Sequence, residues 1–288
     1  MNEATVLNKL ELMFPDKSVD VLYRLMGGMS NYTYVVRIGD KKYTYRIPGE
    51  FSEYFVNREI EIENINIVEP LGITNKTTYF SVETGEKIAA FEEGTSLNQL
   101  KEDFPYKEVS DLLHVIHTSG IKAANDYDPF GRLDQYETYI ILLDYHHPAE
   151  YLQTKDLFFT YKSLLENTPK VLCHGDSQPS NFIYHEGYLL TVDFEFCGNN
   201  DPLYDVACFA NMKLEHGERL LHVYYPNPTK NQLTRFYLWR AFQCLQWYNV
   251  AIFKEMKGMS QSLHVDFKMV AQMYLQKAQS LLEIVANI

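Results

Sequence analysis

Cysteine is scarce in this chain: four residues in 288, Cys173, Cys197, Cys208 and Cys244, with no Cys-x-x-Cys spacing. The first residues, Met1-Asn2-Glu3-Ala4-Thr5, carry an early acid and no positive segment followed by an apolar run. No signal peptide is expected. Scattered cysteines without an export signal read as reduced, mostly buried thiols, and a cytoplasmic location follows. Long apolar runs are also lacking. The longest obvious aliphatic stretch, Ile140-Ile141-Leu142-Leu143, is far short of the ~20 residues a membrane helix needs, so no membrane insertion is expected. Positive charge is in deficit, with Lys and Arg at 26 against 38 for Asp and Glu, a formal net charge of −12. Such a chain lacks the basic face with which a general nucleic-acid binder neutralises phosphates. The acid excess is compatible with a cationic small-molecule partner, although acidity for solubility alone explains it more simply. Internal repeats and low-complexity linkers are absent as well, and oligomeric state is left open.

What is present suits a folded chain. Apolar residues make up 46%, enough for a substantial core in two lobes or one large domain. Val6, Leu10, Met13 and Phe14 share one helical face ahead of Pro15. Strands are predicted at 19–25, 32–38 and 42–47, the last two joined by a Gly39-Asp40 turn. A helix follows over 52–64, then a second hairpin, 77–83 and 87–91, around Thr84-Gly85. Beyond Gly94 helices dominate, at 106–118, 136–145, 156–166, 203–213, 231–257 and 265–286. The change of texture near 92–96 predicts a hinge between a sheet-rich lobe, 1–93, and a large helical lobe, 94–288. Clefts between lobes are a common place for a ligand.

One block inside the helical half carries chemistry: VLCHGDSQPSNFIYHEGYLLTVDFEF. Val171-Leu172-Cys173 reads as a short buried strand delivering His174, Asp176 and Asn181 onto one loop. A hairpin over 182–192, turning at Glu186-Gly187, ends at Asp193, so Asn181 and Asp193 flank its open end. An amide oxygen beside a carboxylate suits Mg²⁺, a hard cation that prefers oxygen ligands. Asp176 stands five residues before Asn181, where a carboxylate can accept or orient the proton of an attacking hydroxyl. Any one of these residues alone reads as an ordinary turn former. The joint pattern His-x-Asp-x4-Asn, hairpin, Asp-x-Glu is much more specific.

HGDSQPSN followed by VDFEF and NDPLYDVA resembles the catalytic block of the choline/ethanolamine kinase family, in particular its bacterial choline kinases. These share a protein-kinase-like fold with the aminoglycoside phosphotransferases. The resemblance runs in order from Gly27 to about Lys254. It implies an α+β, bilobal fold with a small sheet-rich N-lobe and a large helical C-lobe. It also implies an enzyme that uses ATP and Mg²⁺ to phosphorylate the hydroxyl of choline, ethanolamine or a similar amino alcohol. By that resemblance Asp176 is the catalytic base, Asn181 and Asp193 are the metal ligands, and His174 and Asp205 support the catalytic loop. Glu195 matches the second acid of Asp-x-Glu, and Gln178 a glutamine on the substrate side.

At the nucleotide end, Gly27 and Gly28 lie between two predicted strands, where they let backbone approach phosphates closely. Alone, Gly-Gly between strands is usually a turn. The pair sits where the resembled family has its phosphate loop, with Asn31 at the family's asparagine position. Arg46 stands where kinase-like folds place a phosphate-holding base paired with a helix glutamate, and a guanidinium grips phosphate oxygens in a fork. Glu61 of NREIEIEN is the first choice for that glutamate and Glu59 the second. The segment 89–92 is expected beside adenine.

On the acceptor side, Trp239, Trp247 and Tyr248 offer aromatic faces of the kind that bind quaternary ammonium. Trp247 matches a family tryptophan. The second family tryptophan falls on Val250, and a family acid falls on Met212, with Glu215 one helical turn on. These departures admit another alcohol as acceptor, such as an aminoglycoside or thiamine. A non-catalytic nucleotide-binding module is the third reading, and the presence of Asp176, Asn181 and Asp193 speaks against it. His114 and His117 are read as structural, and His146-His147, next to Pro148 and without companion ligands at metal spacing, as a loop pair.

Overall fold

Asn2 accepts the N–H of Thr5 at 2.9 Å and so caps the first helix, α1 (Glu3–Met13). The computed structural model describes residues 2–25 and 31–288. After α1 come β1 (Val19–Leu25), β2 (Asn31–Ile38), β3 (Lys41–Pro48), α2 (Arg58–Val68), β4 (Thr77–Phe80) and β5 (Lys87–Ala90). β6 (Thr95–Ser96), α3 (Tyr106–His117), α4 (Pro129–Ile141), α5 (Ala149–Phe159), α6 (Lys162–Glu166) and β7 (Val171–Cys173) follow. Then come β8 (Phe182–His185), β9 (Tyr188–Thr191) and β10 (Gly198–Asn200). The helices α7 (Pro202–Cys208), α8 (Leu214–Tyr224), α9 (Lys230–Met256), α10 (Met259–Leu263) and α11 (Phe267–Asn287) complete the order.

Two compact units emerge: Met1–Asn125 with Pro179–Gly198, and Asp126–Gln178 with Asn199–Ile288. This division differs from the boundary after residue 93 read from the sequence. The segment 94–125 and the hairpin 179–198 make their contacts with the first unit.

In the first unit an antiparallel sheet runs in the order β1-β2-β3-β5-β4. Val6 and Leu10, one helical turn apart on α1, are fully buried against Tyr34, Val36, Ile38, Tyr45, Ile47 and Ile88. Each such side chain contributes roughly 1.5–3 kcal/mol by leaving water. A second sheet, β6-β8-β9, holds the late hairpin. The predicted helix over 52–64 is corrected: Ser52–Tyr54 is one 3₁₀ turn, and α2 starts only at Arg58. Asn57 decides this, because its Oδ1 accepts the N–H groups of Glu59 and Ile60 and fixes the helix start there.

The second unit is helical, with β7 and β10 paired in a two-stranded sheet. α9 spans 27 residues, starts from a capping box of Thr229 and Gln232, and packs on α4, α7 and α11. Almost every side chain from Phe236 to Lys254 on it is buried, including Arg240, Gln243, Gln246 and Asn249. Three expected helices are corrected. The one placed at 136–145 starts at Pro129, whose fixed φ suits a first helical position behind the capping Asp128. The one at 156–166 is two, α5 and α6. The one at 203–213 stops early, and α8, not anticipated, follows it. Among the described residues no helix is long and apolar enough to cross a membrane.

Candidate active site

Within the first unit, the hairpin β8–β9 closes on itself at its open end. The carbonyl oxygen of Asn181 accepts from Val192 N at 2.9 Å and from Thr191 Oγ1 at 3.0 Å. Asn181 and Asp193 therefore stand at the same end of the hairpin. Asp193 takes φ +70, a left-handed backbone that a non-glycine residue adopts at a cost.

Arg46, near the end of β3, is buried and reaches three carboxylates. It grips Glu61 of α2 through Nη1 to Oε1 at 2.6 Å and Nη2 to Oε2 at 3.0 Å. The same Nη1 lies 2.9 Å from Asp193 Oδ1 and 3.6 Å from Glu195 Oε2. Nη2 also donates to the carbonyl of Gly85 at 3.2 Å. Burial alone would lower the Arg46 pKa, but Glu61, Asp193 and Glu195 more than offset it and hold the guanidinium firmly charged. Burial likewise opposes ionisation of Glu61, yet Arg46 keeps its pKa below the usual carboxylate value. Glu61 is thus the partner of Arg46, while Glu59 is exposed.

Two cations here were not picked out from the sequence. Arg58 Nη1 sits 2.6 Å from Glu61 Oε2 and 3.2 Å from Glu195 Oε2. Lys87 faces Arg46 across the β3–β5 ladder, and its pKa is lowered by burial first and by Arg46 next. The alternation of paired strands was the signal for Lys87. For Arg58 the signal was its spacing, one helical turn before Glu61. Glu195 is pushed up to about 7 by burial and by Asp193. Asn31 Nδ2 donates to it at 3.3 Å. Gly27 and Gly28 lie outside the described residues.

Carboxylate oxygens of Glu61, Asp193 and Glu195 all lie within 4.8 Å of one another, a hard-oxygen donor set that fits Mg²⁺. Glu61 is already bound by two guanidiniums. Asp193 is the most open of the three, its side chain 27% exposed, and so the one best able to turn to a metal.

Within the second unit, β7 delivers the loop 174–178. Asp205, in the first turn of α7, clamps it: Oδ2 accepts from His174 N at 2.7 Å and Oδ1 from Gly175 N at 2.9 Å. Gly175 has φ +80, a conformation that glycine adopts without strain. Ser177 Oγ donates to the backbone oxygen of Asp205 at 2.6 Å. His174 is fully buried, and its Nδ1 accepts from Asp176 N at 3.2 Å, so it acts as a backbone anchor. The Asp176 carboxylate receives Gln178 Nε2 at 3.0 Å and the Cys208 thiol at 3.6 Å. Burial and Asp176 push the Cys208 pKa well up, which keeps that thiol a donor.

The acceptor-side aromatics differ in their engagement. Trp239 is core, its Nε1 donating to Asp201 at 2.7 Å. Tyr248 bonds Tyr145 and stacks on Tyr151 at 4.6 Å. Trp247 is half-buried. Val250 is buried and Met212 is 49% exposed, so neither supplies the charge or ring of the family position it fills. His147 lies in the loop before α5, as read from the sequence, and stacks on Tyr151 at 4.3 Å.

Solved structures share this architecture. LicA from Streptococcus pneumoniae, described as a choline kinase, superposes with a TM-score of 0.79 at 24% identity, over 98% of both chains. A thermostable mutant of the aminoglycoside phosphotransferase APH(4)-Ia, bound to ADP and hygromycin B, gives 0.71 at 14% identity over 97% of this chain and 98% of that one. The fold is accordingly the α+β, protein-kinase-like fold of small-molecule phosphotransferases, with a sheet-rich N-terminal part and a large helical C-terminal part. Sequence supplies the finer step. The family model described as Choline/ethanolamine kinase matches residues 22–219, and the chain belongs to that family of alcohol phosphotransferases. "Protein LicA" of Haemophilus influenzae is 26% identical over 222 residues, 73% of this chain and 65% of that protein. The chain thus matches about two thirds of the length of this relative. A second Haemophilus influenzae LicA, from strain KW20 / Rd, is 26% identical over 72% of this chain and 81% of its own length.

Proposed function

We propose that the protein transfers the γ-phosphate of ATP to the hydroxyl of choline, ethanolamine or a similar amino alcohol, using Mg²⁺. The observation that carries this reading is the Arg46 nest, in which one guanidinium is fastened to the helix glutamate Glu61 and also touches Asp193. Kinase-like phosphoryl transfer needs such a cation, held by a helix acid, to grip the α- and β-phosphates. Among the solved relatives, LicA is described in complex with AMP, and the aminoglycoside enzyme with ADP. Both support a nucleotide donor here.

In this reading Asp176 orients the acceptor hydroxyl and takes its proton as the oxygen attacks the γ-phosphorus in line. Asn181 and Asp193 would hold Mg²⁺, which would supply positive charge to the phosphates when bound. Arg46, kept charged by its acids, offsets negative charge that builds toward the leaving diphosphate. Phosphate binding is assigned to Gly27, Gly28 and Asn31 and acceptor binding to Gln178 and Trp247, while Glu195, paired with Arg58, belongs to the Arg46 nest. His174 and Asp205 hold the catalytic loop rigid, so that Asp176 need not reorganise during the reaction.

Met212 and Val250 at two cation-contact positions favour a second reading, with the same reaction and a different alcohol. An acceptor panel of choline, ethanolamine, thiamine and aminoglycosides, read by ATP consumption, separates the two. Choline or ethanolamine as the best acceptor upholds the first. ATP consumption with no member of the panel, at any Mg²⁺ concentration, would overturn both.

A further inference from the structure

Arg240 of α9 is 3% exposed, and among the described residues no carboxylate lies within ion-pair distance of it. Its two hydrogen bonds go to side-chain amides: Nη1 to Gln243 Oε1 at 3.0 Å and Nη2 to Asn211 Oδ1 at 3.0 Å. A buried cation is costly unless something answers its charge. The answer lies two amides away. Asn211 Nδ2 donates to Gln178 Oε1 at 2.8 Å, and Gln178 Nε2 donates to Asp176 Oδ2 at 3.0 Å.

This chain has only one possible direction. Guanidinium has donors alone and an ionised carboxylate has acceptors alone, so both intervening amides must present oxygen toward Arg240 and nitrogen toward Asp176. Opposite charges at the two ends polarise every bond between them in the same sense, and low polarity around them strengthens each. Gln243 cannot turn away either, because its Nε2 donates to the Tyr204 carbonyl of α7 at 3.0 Å.

We propose that Arg240 is a positioning residue for Asp176, acting through Asn211 and Gln178 to fix the carboxylate's orientation and keep it ionised. The proposal rests on the role given to Asp176 above. The thiol and phenols beside Asp176 do not supply that charge. Cys208 and Tyr204 on α7 are held protonated by burial, as is Tyr274 on α11, pushed up to about 12. Asp205 on α7 is an acid clamped to the loop backbone, and His174 on the loop itself is engaged by the Asp176 N–H. Arg240 is the cation on the chain that ends at Asp176.

The test is the pH profile of kcat for the full chain carrying Arg240→Met, Arg240→Lys or Asn211→Leu, beside Asp176→Asn. Asn211→Leu cuts the chain without removing the buried charge, so it decides the matter if Arg240→Met fails to fold. The expected result for Arg240→Met and Asn211→Leu is a kcat lower by about 10²-fold with nucleotide KM little changed. A group whose ionised form loses support titrates higher, so the acid limb should move up by on the order of half a unit. Arg240→Lys, which keeps the charge, should restore the limb. An unmoved limb in both chain-breaking variants would overturn the proposal, as would a lysine variant no better than methionine. Full turnover by Asp176→Asn would instead remove the base assignment and with it the catalytic reading, a separate failure.

Discussion

Glu61 carries two arginines at once and is fully buried, so its removal leaves two guanidiniums to find other partners. Breaking one side of a buried ion pair costs about 3–5 kcal/mol. Glu61→Gln should therefore lose about 3 kcal/mol or more of stability in urea unfolding. A loss under about 1 kcal/mol would mean that Asp193 and Glu195 suffice for both cations. Asp193→Ala should weaken nucleotide binding in the presence of Mg²⁺, measured by calorimetry, and leave metal-free nucleotide binding less affected. Equal affinities for Mg²⁺–nucleotide in both proteins would sink the metal assignment. The Arg46–Glu61 pairing was expected from the family resemblance, at a strand end and on a helix face, and the two side chains do meet. Arg58, Lys87 and Arg240 were not picked out from the sequence. Their partners lie up to 137 residues away, as for Arg58 and Glu195, and only the folded backbone brings them together.

Short elements were placed well where turn chemistry was explicit. β1 and β7 fall at the expected residues, and the turns at Gly39, Gly85 and Gly187 all take positive φ. Helix starts were misplaced where a cap outranked apolar spacing, as at Asn57 and Asp128. The α5–α9 contact shows what spacing could not reveal about His147. Asn249 gives its Nδ2 to the Tyr151 hydroxyl at 2.7 Å and to Leu245 O, so its Oδ1 accepts from His147 Nε2 at 2.9 Å. Burial lowers the His147 pKa, against smaller opposing effects of Asn249 and Glu137. A depressed folded-state value means the unfolded chain takes the proton more readily. The contribution to stability is then whole above the ordinary histidine value near 6.5 and is lost as pH falls through the lowered one. The melting temperature should drop between pH 7.5 and 5, and His147→Gln should flatten that drop. An unchanged slope in the variant would show that other groups set it.

At the scale of the whole molecule, the class of fold could be read from the order of strands and helices, because that order follows local periodicity. Membership of the 179–198 hairpin in the first unit could not, since it depends on pairing β6 with β8 across more than eighty residues. Net charge acts at this scale too. With 38 acids against 26 bases, the molecule attracts cations over distances set by screening. That reach falls from about 30 Å at 0.01 M salt to about 8 Å at 0.15 M. If the acceptor is an amino alcohol, its kcat/KM should therefore fall across that range, and a polycationic acceptor should fall further. A neutral alcohol that is turned over should show little change. Steady-state rates at constant Mg²⁺ and saturating nucleotide make the comparison direct. A kcat/KM for the best cationic acceptor that ignores salt would mean that its charge is recognised only at contact, by groups such as Trp247, and not by the field of the chain.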